Sequence, residues 1–189
     1  MKKILVPTDF SPISKNALEF ACHVALQLDY EIFLLNIQSL PANDDANMAI
    51  ELIKTIEDAN IDRLKNTCDA IKKTHEGIKM SSHFSFGIPS MTVKDFLESG
   101  EFDLVVMGTR GSSGFDRWLF GSVAESVSKH SPCPVIIVHA ESQYQPVKKI
   151  AVPIDINYKF NDSFKVVHKI VNFAKMFKAE LHWFYVDTD

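Results

Sequence analysis

Apolar residues in the first 140 positions form five short runs separated by longer amphipathic stretches. Three runs are almost entirely apolar: KKILVP at 2–7, EIFLLNI at 31–37 and FDLVVMG at 102–108. KMSSHFSF at 79–86 has a weaker pattern, and PVIIVHA at 134–140 completes the set. Continuous apolar strands are buried on both faces, which is typical of a parallel sheet with helices on each side.

Between these runs, apolar residues recur at the three- and four-residue spacing of helices. The predicted helices cover 11–30, 44–76, ending near Gly77, then 89–99, and a last segment from Trp118 or Ser122 to His130. Their predicted apolar faces contain Leu18, Cys22, Ala25 and Leu26 in the first helix, and Ala49, Ile53, Ile56, Asn60, Leu64, Cys68 and Ile71 in the second. Alternation of strands and helices predicts a doubly wound α/β domain.

The end of the chain repeats its beginning. KKIAVPID at 148–155 restates KKILVPTD at 2–9, and AELHWFYV at 179–186 matches YEIFLLNI at 30–37. A repeat of this kind predicts a second copy of the first strand, helix and strand, which would expose an apolar face unless another module covers it. The predicted organisation is a complete domain at 1–140, a linker at 141–147 and a partial second repeat at 148–189.

Composition and charge narrow the function classes. The chain is 46% hydrophobic with a net charge of −4, which does not favour nucleic acid or an anionic membrane as a partner. The first apolar run ends at Pro7 and Asp9, too early for a signal peptide, so a cytoplasmic protein is expected. Cys22, Cys68 and Cys133 are widely spaced, which predicts free packing thiols without a zinc or disulfide pattern.

The stretch after the fourth predicted strand reads MGTRGSSGFDRWLFGS, residues 107–122. Glycines such as Gly108 and Gly121 let a backbone approach a ligand closely. A helix starting at Ser122 would add unpaired amides and the positive end of its dipole, and Arg110 would add a cation. The stretch therefore fits a phosphate cradle.

Two simpler interpretations remain open at the sequence level. Ser122 and Glu125 fit a capping box, S-x-x-E, in which case the glycine stretch is only a loop followed by a helix cap. Asp9 can accept hydrogen bonds from a ribose at the end of a strand. It can equally cap the following helix, as can Ser11, with Pro12 in the first helical turn.

Common catalytic patterns do not occur in the chain. It has no GK[ST] after a glycine loop, no GxGxxG after the first strand, no GxSxG and no HExxH. The seven histidines are scattered and none pairs with another at metal-binding spacing. His130 and His139 flank the last predicted strand and are interpreted as structural or solvated. We therefore predict no catalytic residue and no metal ligand, and at most weak ATPase or autophosphorylating activity.

In KKILVPTDFS, DLVVMGTRGSSG and GSVAESVSKHSPCPVIIV, the first 140 residues resemble the universal stress protein family. The family's nucleotide signature is Gly-x2-Gly-x9-Gly-Ser/Thr, and Gly108, Gly111, Gly121 and Ser122 satisfy it without a departure. The resemblance implies the universal stress protein fold, related to that of the adenine nucleotide alpha hydrolases. Its doubly wound five-stranded parallel sheet has strand order 3-2-1-4-5.

The resemblance also implies an ATP-binding subclass, in a tandem form with an incomplete second module. The expected ligand is ATP, or AMP or ADP, with or without Mg²⁺, and the expected role is stress response or signalling. The implied site residues are Pro7, Thr8, Ile37 and Met107 around adenine, Asp9 on the ribose, and Gly108, Gly111, Gly121, Ser122 and Val123 around the phosphates. Family members pair as homodimers or as modules within one chain. The alternative function is a dimerising interaction protein without a bound nucleotide.

The partial repeat retains an aspartate, Asp155, at the position of Asp9 but has no glycine stretch of its own. We therefore expect one nucleotide per chain, bound by the first module.

Overall fold

The computed structural model describes residues 1–41, 46–109, 121–154 and 163–185. These residues belong to two compact units, Met1–Gln143 and Tyr144–Asp189.

The first unit is an α/β domain with one parallel sheet. Its elements are β1 (Lys3–Thr8), α1 (Pro12–Leu28), β2 (Glu31–Gln38), α2 (Ala46–Thr74), β3 (Lys79–Phe86), α3 (Pro89–Glu98), β4 (Leu104–Gly108), α4 (Ser122–His130) and β5 (Val135–Val138). The strands pair in the order β3-β2-β1-β4-β5, all parallel. This topology confirms the predicted fold class and strand order.

The sheet explains why the strand patterns differ in strength. β1 lies at the centre between β2 and β4, and Ile4, Leu5 and Val6 are completely buried. β3 is an edge strand in which buried Met80 and Phe84 are interspersed with more exposed residues. A central strand needs apolar side chains on both faces, whereas an edge strand needs fewer.

The helices bury the predicted faces, with one exception. In α1 the buried side chains include Leu18, Cys22 and Ala25, but Leu26 is 42% exposed and its placement on the apolar face was wrong. The residue next to a buried one lies about 100° round the helix, so Ala25 and Leu26 do not share a face. All predicted face residues of α2 are buried or half-buried, and Gly77 follows that helix with φ of +80°.

The two faces of the sheet carry different helices. Leu5, Leu35 and Val105 belong to a buried cluster with Val93 of α3 and Val127 of α4. Because side chains alternate along a strand, the intervening residues point to the opposite face, where α1 and α2 pack.

The second unit contains β6 (Lys149–Pro153), α5 (Ser163–Phe177) and β7 (Glu180–Phe184), with β6 and β7 parallel. Val152 and Phe177 are buried, whereas Val166, Trp183 and Phe184 are between 43% and 54% exposed. This strand–helix–strand unit has several exposed apolar side chains, and its interpretation as a partial repeat stays a prediction.

Among the described helices, none combines the length and apolar character that a membrane span requires.

Candidate functional site

The carboxyl ends of β1, β2 and β4 bring several predicted site residues to one edge of the sheet. Leu5 is in register with Val105, and Pro7 is in register with Leu35. Two residues further along β4 and β2, Met107 and Ile37 belong to the cluster beside α3 and α4, and they are 5% and 9% exposed. Pro7, Ile37 and Met107 thus share one face, with Pro7 half-buried.

The loop between β1 and α1 is held by its own hydrogen bonds. Ser11 N donates to Asp9 Oδ1 over 3.0 Å, and Phe10 N donates to Thr8 Oγ1 over 3.0 Å. Ser14 N donates to Ser11 Oγ over 3.2 Å, so Ser11 is the N-cap of α1. The interpretation of Asp9 as the helix cap was therefore wrong. Its exposed carboxylate instead makes an Asx-turn with the backbone two residues on.

Phe10 marks a strained point in this loop. Its φ is +61°, a left-handed conformation that costs a bulky residue on the order of 1 kcal/mol. The ring is buried, and the guanidinium of Arg63 lies 4.1 Å from its centroid. Strain of this kind persists when its surroundings fix it, so the backbone around Asp9 is organised before any ligand arrives.

Gly108 is required by the packing of α1. A Cβ atom at this position would lie 2.6 Å from Ile13 Cγ2 and 3.3 Å from the Ile13 carbonyl oxygen. The expectation that the glycine serves ligand approach is therefore incomplete, because the contact with α1 already excludes a side chain.

The ends of the glycine stretch meet at the same edge of the sheet. Gly121 N donates to Thr109 O over 2.7 Å, and Thr109 N donates to Val138 O over 3.0 Å. These bonds hold the start of α4 beside the end of β4. Arg110 and Gly111 lie outside the described residues, so their predicted roles stay predictions.

The first turn of α4 has no side-chain cap among the described residues. Gly121 is the N-cap, with φ −66° and ψ 150°, and Ser122 is the first helical residue. The Glu125 carboxylate lies 2.6 Å from Lys129 Nζ, and hydrogen bonding to this lysine holds the pKa of Glu125 below its usual value. The predicted capping box was therefore wrong, since Ser122 is exposed and one position too late to be the cap.

A buried amide at this edge was not predicted. Asn36 is completely buried, and its Nδ2 donates to Thr8 O over 2.7 Å. Among the described residues its Oδ1 atom has no hydrogen-bond partner. The signal was a single amide side chain inside the otherwise apolar run EIFLLNI.

The cysteines are free, as predicted. Burial raises the pKa of the Cys22 thiol to about 12, and it also raises the pKa values of Cys68 and Cys133. Cys133 is half-buried and packs against the main apolar cluster. Fully buried thiols such as that of Cys22 are inert packing groups.

Comparison with known proteins identifies the family. Residues 1–139 match the model described as "Universal stress protein family". The chain is 33% identical over 143 residues to Universal stress protein MJ0531 of Methanocaldococcus jannaschii, covering 72% of this chain and 81% of that protein.

Solved structures share the fold. Universal stress protein UspA from Lactobacillus plantarum is 26% identical with a TM-score of 0.64, covering 72% of this chain and 97% of its own. A universal stress protein in complex with cAMP is 21% identical with a TM-score of 0.55, covering 74% and 98%. The chain belongs to the universal stress protein family.

Proposed function

We propose that the first unit binds an adenine nucleotide, ATP or its relatives AMP and ADP, in stress response or signalling, with slow or no hydrolysis. The observation that carries the proposal is the first turn of α4, which no side chain among the described residues caps. The Gly121–Thr109 hydrogen bond holds that turn at the carboxyl edge of the sheet. In open α/β sheets, ligands bind at this edge.

The phosphate end of the ligand fits the start of α4. Backbone amides of the first helical turn lack intrahelical partners, and the helix dipole favours negative charge there. The φ and ψ of Gly121 are accessible to any residue, so the backbone conformation alone does not call for glycine. Close approach of a phosphate supplies a reason for it, and Ser122 and Val123 are the next residues that would contact the phosphates.

The adenosine end fits the neighbouring strand ends. Pro7 is half-buried, whereas Ile37 and Met107 are almost completely buried on the same face, so a purine ring here would contact mainly Pro7. The Asp9 carboxylate is exposed, and the hydrogen bond that it accepts from the Ser11 amide orients it. In this orientation it can accept hydrogen bonds from ribose hydroxyls. The universal stress protein solved with cAMP is evidence only for the fold of this chain. Its ligand is nevertheless an adenine nucleotide, which is the class of ligand proposed here.

Mg²⁺ would arrive with ATP, because it binds phosphate oxygens and retains several waters. We propose no catalytic residue. The hydroxyls of Thr8, Ser11 and Ser14 hydrogen-bond to one another, and Asp9 orients a backbone amide. Turnover should therefore be far below the roughly 10 s⁻¹ typical of enzymes.

The test is nucleotide content followed by titration. The chain is purified without added nucleotide and denatured, and released compounds are identified by mass spectrometry. ATP is then titrated into the wild type, into Gly121→Val and into Ser128→Val, a control on the exposed face of α4. We expect about one nucleotide per chain, with at least tenfold weaker binding in Gly121→Val only. Unchanged binding in Gly121→Val, or two nucleotides per chain, would contradict the proposal.

A second proposal concerns module pairing, either between two chains or within one. The exposed Trp183 and Phe184 of the second unit favour it, because apolar side chains of this size are usually covered in an assembly. Sedimentation equilibrium of the full chain should show a concentration-dependent dimer when pairing is between chains, and a monomer at all concentrations when it is not.

A further inference from the structure

Three side chains that the nucleotide site does not use converge between α1 and the end of α2. Glu19 Oε1 lies 3.0 Å from His75 Nε2 and 3.7 Å from His23 Nε2. One ligand atom from each residue lies within 4.8 Å of the other two. In the part of the chain that the structure describes, this is the only such group of three.

Local structure explains how the three meet. Glu19 and His23 lie one turn apart in α1, so their side chains share a face. His75 follows α2 directly, its N donates to Ile71 O over 2.9 Å, and its O accepts from Ile78 N over 3.2 Å. The His75 side chain is only 8% exposed, so its ring is held in place.

The Thr74 hydroxyl group contacts the ring nitrogen of His75 that does not face Glu19. Thr74 Oγ1 lies 3.0 Å from His75 Nδ1, and it donates to the carbonyl of Ile71 over 3.1 Å. When the hydroxyl proton serves that carbonyl, Thr74 accepts from Nδ1–H, and Nε2 presents a lone pair to the Glu19 carboxylate. Two acceptors 3.0 Å apart require a cation between them, either a proton or a metal ion. Orientation of a metal-ligating histidine by a hydrogen bond at its other nitrogen is common in metal sites.

The distances and donor types suit a tetrahedral ion. Zn²⁺ bonds of about 2.0–2.2 Å place tetrahedral ligand atoms about 3.4 Å apart. The two distances from Glu19, 3.0 and 3.7 Å, lie within a few tenths of an ångström of this value, and the two histidine nitrogens lie within 4.8 Å of each other. Two imidazoles and a carboxylate form a known zinc donor set that leaves one position for water.

We propose that Glu19, His23 and His75 bind one divalent transition-metal ion, with Zn²⁺ as the probe and water completing the coordination. The ion ties α1 to the end of α2. His23 lies about 16 Å along α1 from its first residue, Pro12, at 1.5 Å per residue. His75 shortly precedes β3, so the metal site lies toward the amino-terminal edge of the sheet, away from the nucleotide edge.

The test is calorimetric titration of Zn²⁺ into the untagged full chain, free of nucleotide. We expect one Zn²⁺ per chain and a rise in thermal midpoint with Zn²⁺ concentration. His23→Gln should weaken binding at least tenfold, and this half-exposed residue can be replaced without opening the core. Thr74→Val should weaken binding about 10- to 100-fold through the orientation of His75.

The matched control is His182→Gln. His182 Nε2 also lies near a glutamate, 3.4 Å from Glu180 Oε2, but it does not belong to the three-residue group. This variant should bind Zn²⁺ like the wild type. Absence of saturable Zn²⁺ binding would overturn the proposal, as would equal binding by His23→Gln and His182→Gln.

Discussion

Replacing Gly108 by alanine would place a methyl group 2.6 Å from Ile13 Cγ2, although carbon atoms pack best about 3.5–4.0 Å apart. One of the two groups must therefore move by about 1 Å. Ile13 lies in the first turn of α1, where a β-branched side chain has one strongly preferred χ1 rotamer, so its methyl group cannot simply rotate away. Overpacking of this kind costs about 1–3 kcal/mol, and we expect Gly108→Ala to lower the free energy of unfolding by about 2 kcal/mol.

The assay is urea unfolding followed by circular dichroism, with Gly108→Ala measured alone and in an Ile13→Ala background. Removing Cγ2 relieves the closest contact, so alanine at position 108 should cost about 1 kcal/mol less in that background. A residual cost should remain, because the Ile13 carbonyl oxygen is still 3.3 Å from the new Cβ. Equal costs in the two backgrounds, or a cost below about 0.5 kcal/mol in the wild type, would refute the packing argument.

Three further predictions concern other parts of the first unit. Ser11→Ala should lower stability by about 1 kcal/mol because Ser11 caps α1, whereas Ser122→Ala should change it little, and thermal unfolding of the two variants makes the comparison. Cys22 should resist a thiol reagent in the native protein, because a pKa of about 12 leaves roughly one thiolate in ten thousand at pH 8. Mass spectrometry should find Cys133 modified first. Asn36→Asp should destabilise by about 3 kcal/mol at pH 7, since an ionised carboxylate cannot donate to the β1 carbonyl that Nδ2 now reaches. That loss should shrink as the pH falls and the carboxyl is protonated, and unfolding at two pH values tests it.

Much of the fold is readable from local pattern. Strand β1 is flanked on both sides and completely buried at Ile4, Leu5 and Val6, so its sequence is continuously apolar. The apolar residues of α2 recur at helical spacing over many turns, so the sequence predicts this helix clearly. Boundaries were less exact, as at β5, which ends at Val138, two residues before the predicted end. The weak pattern of β3 reflects its edge position.

The features missed at the sequence level depend on contacts distant in the chain. His75 meets Glu19 and His23 only because α1 and α2 both run towards the amino-terminal edge of the sheet, so the i, i+4 spacing of Glu19 and His23 reveals only two of the three residues. The capping box failed by one residue. Since S-x-x-E matches whether serine is the cap or the first helical residue, the pattern cannot tell Ser122 from the cap Gly121.

Gly108 and Gly121 belong to one sequence signature but meet different physical requirements. Gly108 touches α1 so closely that no side chain fits, and this requirement exists without any ligand. Gly121 has a backbone conformation open to every residue, so its φ and ψ do not require glycine. Any protein in which α1 packs this closely against the end of β4 would need Gly108, whether or not it binds a nucleotide. Gly121→Val is consequently the informative variant for nucleotide binding, because a loss of affinity in Gly108→Ala would be inseparable from a loss of stability.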